Sequence, residues 1–163
     1  MAAVITKHER DFLLFTIHPG ASHLPNLSRQ GRSASMEQEL ADLLKAHDGI
    51  VFAYLFGSCA RRQETPLSDI DIAVYLVQDA DPLEEKLSLM GDLCTRLRRD
   101  DIDIVVMNSA PLSLLGRILT HRVVLLDRNP HLRHLFESLT LRKYHDFCIK
   151  EKTLLDRRFG LGR

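Results

Sequence analysis

Four short apolar runs, separated by turns or by segments with helical periodicity, constrain the fold of this chain more than any other feature. Their sequences are IVFAYLF, DIDIAVYLV, IDIVVM and VVLL, at residues 50–56, 69–77, 102–107 and 123–126. β-prone runs of this length predict buried strands. Because helical segments alternate with them, we expect an α/β or α+β domain, with a small mixed sheet of three to four or more strands flanked by helices.

The segments around these runs have the apolar spacing of amphipathic helices. We predict helices over residues 36–47, 81–99, 112–120 and 129–152. The second has Asp81 as a suitable N-cap, followed by a proline at the first helical position. Its predicted buried stripe is Leu83, Leu87, Met90, Leu93 and Leu97. The last helix carries Leu132, Leu135, Phe136, Leu139, Phe147 and Cys148.

The length of 163 residues suits one domain with additions rather than two full-sized domains. Residues 18–35 are rich in Ser, Gly, Pro and Arg without any period, so we predict a flexible N-terminal extension over residues 1–35. The core domain is predicted over residues 36–127. Residues 128–163 are predicted to form a C-terminal helix that packs on the core and ends in a basic tail.

The net charge is zero, but the charges are unevenly distributed. Residues 36–127 carry 9 basic against 16 acidic residues, whereas residues 128–163 carry 9 against 4. An acidic centre suits metal binding. The basic tail fits either a solvated helix face or a surface for an acidic partner, and direct binding of nucleic acid is not expected.

The cysteines Cys59, Cys94 and Cys148 are odd in number and far apart, which predicts neither a disulfide framework nor a zinc site. The apolar run DFLLFTI at residues 11–17 is too short for a signal peptide or a membrane span. We therefore expect a cytoplasmic protein without a membrane partner.

The stretch GSCARRQETPLSDID, residues 57–71, joins the first two predicted strands and carries residues suited to chemistry. Glycine lets the backbone approach an anion closely, and a serine hydroxyl adds a donor, so Gly57-Ser58 suits phosphate. Asp69 and Asp71 lie two residues apart on one strand face, from which both can reach one Mg²⁺ ion. If these residues have no function, Gly57-Ser58 is a simple loop, and Asp69 and Asp71 form a capped turn before a strand.

Asp103 also opens an apolar run. If its strand lies beside the strand of Asp69 and Asp71, three carboxylates come together, as two metal ions or one metal ion and a base require. Asp101 is the competing candidate on the same face, and Asp100 is expected to face solvent.

Gly57-Ser58, ten further residues and then Asp69-Ile70-Asp71 resemble the GS-x10-DxD signature of polymerase-β-like nucleotidyltransferases, specifically the minimal nucleotidyltransferases. From about Met36 to Phe147 the chain is similar to the MntA-type adenylyltransferase antitoxins, which pair with HEPN-domain ribonuclease toxins. The segments that carry this similarity include Ala60-Arg61, SDIDIAV, DIDIVVMNSAP and RKYHDF. Arg62 departs from the family pattern, which often has glycine after Ala-Arg.

The resemblance implies a nucleotidyltransferase fold and an enzyme that uses ATP as its donor and Mg²⁺, with two ions expected. It implies nucleotide-binding residues Gly57, Ser58 and Arg61, and catalytic, metal-binding residues Asp69, Asp71 and Asp103. Asp103 would also help to deprotonate the attacking hydroxyl.

The acceptor is indicated by how open the site is. Aminoglycoside nucleotidyltransferases share the signature but enclose a small acceptor with a second domain, whereas the residues after Asp127 predict mainly one helix. The resemblance implies instead that AMP is transferred to a tyrosine of a HEPN toxin, which is neutralised within a hetero-oligomer. Two alternatives stay open, namely transfer to a small molecule and neutralisation of the toxin by binding alone.

Arg128 and His134 match the Arg-x4–6-His spacing of HEPN ribonucleases. His131 and His134, three residues apart on a helix, could share a metal ion, but no third ligand accompanies them. With 16 Arg and 8 His in the chain, we interpret the first spacing as accidental, and we interpret the histidine pair as part of a solvated helix face.

Overall fold

The structure is a computed structural model that describes residues 27–61 and 68–159. In chain order the helices are α1 (Leu27–Lys45), α2 (Gly57–Ala60), α3 (Pro82–Leu97), α4 (Leu112–Thr120) and α5 (Pro130–Phe159). The strands are β1 (Ile50–Phe56), β2 (Ile70–Leu76), β3 (Ile102–Val106) and β4 (Val123–Asp127). The chain divides into two units, residues 1–32 and 33–163. All four strands lie in the second unit.

The strands form one mixed sheet in the order β3-β2-β1-β4. β1 is antiparallel to both β2 and β4, and β2 is parallel to β3. The predicted small mixed sheet flanked by helices is therefore confirmed. β2 is a central strand, so its side chains meet one helix layer on each face of the sheet.

The alternation in β2 separates two hydrophobic clusters. Ile70, Ile72 and Val74 pack with residues of α1 and α3 on one face of the sheet. Ala73 and Tyr75 pack with residues of α4 and α5 on the other face, where the Tyr75 ring stacks on Phe52 at a centroid distance of 4.6 Å. Both faces of β2 are thus core beyond Asp71, and the predicted chemical face is confined to the start of the strand.

A buried cluster of polar side chains attaches α5 to the sheet. Tyr54 in β1 donates its hydroxyl to Glu137 Oε1 at 2.7 Å, and Arg122 and Arg133 lie 2.8 and 2.9 Å from the same carboxylate. Arg133 also donates to Asp127 in β4 at 2.8 Å. Burial by itself raises the pKa of Glu137, but the hydrogen bonds from Arg122, Tyr54 and Arg133 outweigh it and leave that pKa below its ordinary value.

α1 begins at Leu27, before the predicted start at Met36. Residues 27–35, which belong to the predicted extension, are therefore helical; no proline interrupts this stretch, and Ser, Gln, Arg and Ala are compatible with a helix. Residues 1–26 lie outside the described residues.

The predicted buried stripe of α3 is only partly confirmed. Leu93 is buried, and Met90 and Leu97 are partly buried against the core. The prediction of burial is wrong for Leu83 and Leu87, whose side chains are 66% and 62% exposed.

The last helix continues to Phe159, beyond the predicted end at Lys152. Leu135, Leu139 and Phe147 are exposed rather than part of the core. The side chains that attach α5 are instead Arg133 and Glu137, which form the buried polar contacts with the sheet, together with Phe136 and Tyr144. The Tyr144 ring packs directly over Gly116 of α4. Within the described residues, no helix is long and apolar enough to cross a bilayer.

Replacing the buried carboxylate by an amide should test the attachment of α5. We expect Glu137→Gln to lower the free energy of unfolding by about 3–5 kcal/mol at pH 7, because Arg122 and Arg133 lose their buried counter-ion. Urea titration measures this difference. Glu151→Gln, an exposed change on the same helix, should stay within about 0.5 kcal/mol of wild type.

The difference between wild type and Glu137→Gln should depend on pH. Since the folded pKa of Glu137 is lowered, its contribution is complete above the ordinary pKa of an unfolded glutamate and is lost as the pH falls towards the folded value. A difference in unfolding free energy that stays constant from pH 7 to pH 3 would contradict this account.

Candidate active site

Gly57 closes the turn that follows β1. Its φ of 72° lies in the left-handed region, which side chains other than glycine rarely adopt. A Cβ atom built at Gly57 would overlap the carboxylate of Asp71. Glycine is therefore required here twice, once by the backbone angle and once by the close approach of an acidic side chain.

Strand pairing brings two of the predicted carboxylates side by side. Asp71 in β2 lies opposite Asp103 in β3, in a parallel register that runs from Ile70 opposite Ile102 to Val74 opposite Val106. Because β-strand side chains alternate, paired residues project to the same face of the sheet. Asp69 comes immediately before β2 and is exposed, as is Asp103.

The charges of these groups act on one another. The pKa of Asp71 is raised, first by burial and then by the negative charges of Asp103 and Asp69, while the positive charge of Arg61 opposes the shift. Three acidic groups therefore lie close enough to repel, and Arg61 lies close enough to attract. A bound cation would remove this repulsion, so the set of donors fits a divalent metal ion.

The carboxylates do not form a closed cage. Over the residues that the structure describes, no three His, Cys, Asp or Glu side chains are arranged to hold a metal ion. Mg²⁺ usually keeps several waters and takes one or two carboxylates together with phosphate oxygens, so a complete set of protein ligands is not required for it.

Asp101 is held away from the carboxylates by Arg99. The Arg99 guanidinium donates to both oxygens of Asp101, and the pKa of Asp101 is lowered, chiefly by this hydrogen bonding. Arg99 also donates to the backbone oxygen of Ser68 at 2.9 Å. Asp101 is thus part of a clamp before β2 and β3, which favours Asp103 as the third carboxylate. Asp100 is exposed, as predicted.

Two contacts that sequence reasoning missed fix the position of Asp69. Arg99 holds the residue before it, and the Cys59 thiol, buried in α2, donates to the Asp69 backbone oxygen at 3.3 Å. Cys59 lies two residues after Gly57, so it links the glycine turn directly to the start of β2. The only signal in the sequence was the presence of Arg99 and Cys59 near the motif, and neither residue type pointed to this role.

The remaining predicted residues are placed as follows. Ser58 is half-buried in α2, and Arg61 is exposed at the end of that helix. Arg62 lies outside the described residues. Arg128 donates to the carbonyl oxygens of Lys45, His47 and Ile50 and so caps the end of α1. Arg128 is engaged there, whereas His134 is exposed on α5, which agrees with the interpretation of their spacing as accidental.

The sequence profile of the family described as polymerase beta, nucleotidyltransferase matches residues 38–131, more than half of the chain. The chain belongs to this family. A comparison with curated protein sequences gives no significant match. The nucleotidyltransferase domain contains every residue that the sequence assigns to the site, from Gly57 to Asp103.

Solved structures of toxin–antitoxin pairs have the same fold. A toxin–antitoxin structure with AMP-PNP has 26% identity and a TM-score of 0.63, and the match covers 76% of this chain and 98% of that one. A MntA–HpeT toxin–antitoxin variant has 27% identity and a TM-score of 0.62, over 76% and 97% of the two chains. A third structure, the tri-AMPylated HEPN toxin of Shewanella oneidensis with its MNT antitoxin, has 24% identity and a TM-score of 0.59, over 78% and 98%. The predicted fold and family are confirmed.

Two glycine-to-alanine changes should separate the turn from ordinary glycine effects. We expect Gly57→Ala to destabilise the fold by at least about 1–2 kcal/mol, because the Cβ is strained at positive φ and displaces Asp71. Gly91→Ala, inside α3 with no atom near the added Cβ, should stabilise by about 0.5–1 kcal/mol. Thermal unfolding of both variants measures the contrast, and equal effects would contradict it.

Proposed function

We propose that this nucleotidyltransferase is an antitoxin that transfers AMP from ATP to a tyrosine hydroxyl of a HEPN-domain ribonuclease toxin, in a Mg²⁺-dependent reaction. The observation that carries the proposal is the pairing of Asp71 with Asp103 beside the Gly57 turn. The similarity to toxin–antitoxin structures, one of them with AMP-PNP, supports both the donor and the kind of partner.

The triphosphate would lie at the turn. Gly57 has no side chain to keep a phosphate away, and Ser58 offers a hydroxyl from the adjoining residue. Arg61, whose charge already acts on the carboxylates, would offset the negative charge of the phosphates. These are the residues to which we assign nucleotide binding.

The metal ions, two in number, would be held by Asp69, Asp71 and Asp103 together with phosphate oxygens. When bound, they supply neutralisation of the triphosphate and of the leaving pyrophosphate. The residues of the chain then have defined tasks. Arg99 and Cys59 keep Asp69 in place, and Gly57 leaves room for Asp71.

In the transfer step, the acceptor oxygen forms a bond to the α-phosphorus of ATP while the bond from that phosphorus to the bridging oxygen breaks. Pyrophosphate leaves with the bonding electrons, and the hydroxyl proton passes to the Asp103 carboxylate. Asp103 suits this task because it is exposed and so accessible to an acceptor. The products are an AMP ester of the toxin and pyrophosphate.

Cys59, Cys94 and Cys148, all in the part of the chain that the structure describes, form no disulfide bond with one another, which fits a reducing compartment. We therefore place the protein in the cytoplasm, as a hetero-oligomer with the toxin.

Carboxylate variants should test the assignment. With α-labelled ATP, Mg²⁺ and a HEPN-domain toxin, we expect Asp103→Asn to lose about 10²–10⁴-fold in labelling rate, as loss of a general base does. The double change Asp69→Asn/Asp71→Asn should reduce labelling to background. Asp100→Asn, an exposed neighbouring carboxylate, serves as the control and should keep wild-type labelling. Unchanged labelling by the double variant would refute the proposal.

Removal of the metal gives a second test. We expect EDTA to abolish labelling of the toxin and added Mg²⁺ to restore it, because phosphoryl chemistry at clustered carboxylates requires their charge to be neutralised. The unfolding temperature of the protein without nucleotide should rise when Mg²⁺ is added to wild type but not when it is added to Asp69→Asn/Asp71→Asn. Labelling that persists in EDTA would show that the carboxylates do not act through a metal ion.

A further inference from the structure

Helix α3 presents different side chains to each of its neighbours. On one side, Glu85 and Asp92 lie 3.7 and 3.1 Å from the imidazole of His47, which follows the end of α1. On the next side, Leu89 and Leu93 are buried in the cluster between α3 and the sheet. Because an α-helix has about 3.6 residues per turn, these two sets lie on adjacent sides of α3 and leave its side remote from α1 to other contacts.

The side of α3 remote from α1 carries a row of apolar or small residues, which we call the α3 seam: Leu83, Leu87, Gly91 and Cys94. Spacings of four, four and three residues keep these side chains on one side of a helix. Leu83 and Leu87 are more than 60% exposed, and Cys94 is half-buried. The α3 seam is thus an open apolar strip on the surface.

Nothing in the described part of the chain requires glycine at position 91. Its φ is not in the left-handed region, and a Cβ atom built there meets no atom within 4 Å beyond the helix's own neighbouring backbone. A glycine inside a helix is less stable than alanine by about 0.5–1 kcal/mol. Glycine also lets another backbone approach closely, so its presence beside two exposed leucines fits a contact with a second molecule.

The spacing of the α3 seam suits a second helix. Two large side chains one turn apart, followed by a gap at Gly91, form the ridge and groove into which the side chains of another helix fit. That helix would lie beside α3 and extend the layer that α1 and α3 form on this face of the sheet. It would bury Leu83 and Leu87, whose exposure the fold alone does not explain.

The α3 seam adjoins the candidate active site. Leu83 lines a cavity of about 450 Å³ that is also lined by Lys86 and Asp103. Asp103 is the exposed carboxylate to which we assign removal of the proton from the acceptor hydroxyl. A protein bound at the α3 seam is therefore held beside the position that the acceptor must reach, which selects the acceptor as the occupant.

We propose that the α3 seam is the docking site for a helix of the acceptor protein, whose apolar side chains pack on Leu83 and Leu87 and whose backbone approaches Gly91. The identity of the acceptor rests on the function proposed above. The contact lies outside the carboxylates, so it supplies affinity for the acceptor and takes no part in the chemical step. It determines which protein is modified.

The first test adds bulk at the point of closest approach. We expect Gly91→Gln to raise the Kd for the cognate HEPN-domain toxin about tenfold or more, measured by calorimetry without ATP. Because glutamine favours a helix more than glycine does, the unfolding temperature of the free protein should stay equal or rise. Ser138→Gln, at an exposed position on α5, is the control and should leave Kd unchanged. An unchanged Kd for Gly91→Gln, or an equal rise in the control, would overturn the proposal.

The second test removes the exposed apolar side chains without adding charge near the carboxylates. In labelling of the toxin with α-labelled ATP, we expect Leu83→Ser/Leu87→Ser to raise KM for the toxin about tenfold or more, with kcat and the affinity for ATP unchanged. Leu154→Ser, which changes a leucine of matching 65% exposure near the end of α5, should keep the wild-type KM. A fall in kcat at unchanged KM would contradict a role in docking.

Binding and labelling together separate this inference from the proposed function. If the toxin binds through the α3 seam but takes up no label, the proposed function fails and the docking site stands. If label is transferred and Gly91→Gln keeps the wild-type Kd, the function stands and the docking site falls. A toxin that does not bind refutes both.

Light scattering of the protein alone tests the other possible occupant, a second copy of the chain. We expect wild type and Gly91→Gln to have the same mass in solution. A dimer that Gly91→Gln converts to a monomer would show that a second copy covers the α3 seam, and the proposal would be wrong.

Discussion

The pairing of β2 between β1 and β3 is the constraint on which the site depends. Asp71 lies opposite Phe56, the last residue before the Gly57 turn, and also opposite Asp103. A shift of either strand by one residue would turn its side chains to the other face of the sheet. Two separate registers must therefore be correct at once. The apolar clusters on both faces of β2 supply that precision, since a shift by one residue would exchange the side chains that fill the two clusters and turn Asp71 away from Asp103.

The clustering of carboxylates that suits the site for binding a metal ion also lowers the stability of the folded state. Asp71 is partly buried next to like charges, which raises its pKa and disfavours the folded state without a cation. Two neighbouring arginines limit this cost in different ways. Arg61 acts on Asp71 across space, whereas Arg99 binds Asp101 and removes a fourth carboxylate from the cluster. The remaining repulsion is concentrated in the residues to which we assign metal binding.

Much of the fold follows from the sequence, and the parts that do not have identifiable physical reasons. Periodicity located the strands within one or two residues, and the bounds of β1 and α4 agree fully, because burial and strand or helix geometry are local properties. Strand order depends on contacts distant in the chain, so Asp103 could be placed beside Asp71 only conditionally. Leu83 and Leu87 have the spacing of a buried stripe, yet burial also needs a partner surface, which no local pattern encodes. The role of Glu137 depends on Tyr54, which lies 83 residues away.

The position of β3 at the edge of the sheet has a consequence for solubility. Exposed strand edges allow copies of a protein to join sheet to sheet and aggregate. Here β3 has only five residues, and beyond its end the side chain of Asn108 pairs with the backbone of Leu76 in β2, through two hydrogen bonds of 2.8 and 3.0 Å, in place of a further residue of β3. The first turns of α3 and α4 stand on either side of β3, and Ile104 in its middle is fully buried, so little of this edge is open to the sheet of another molecule.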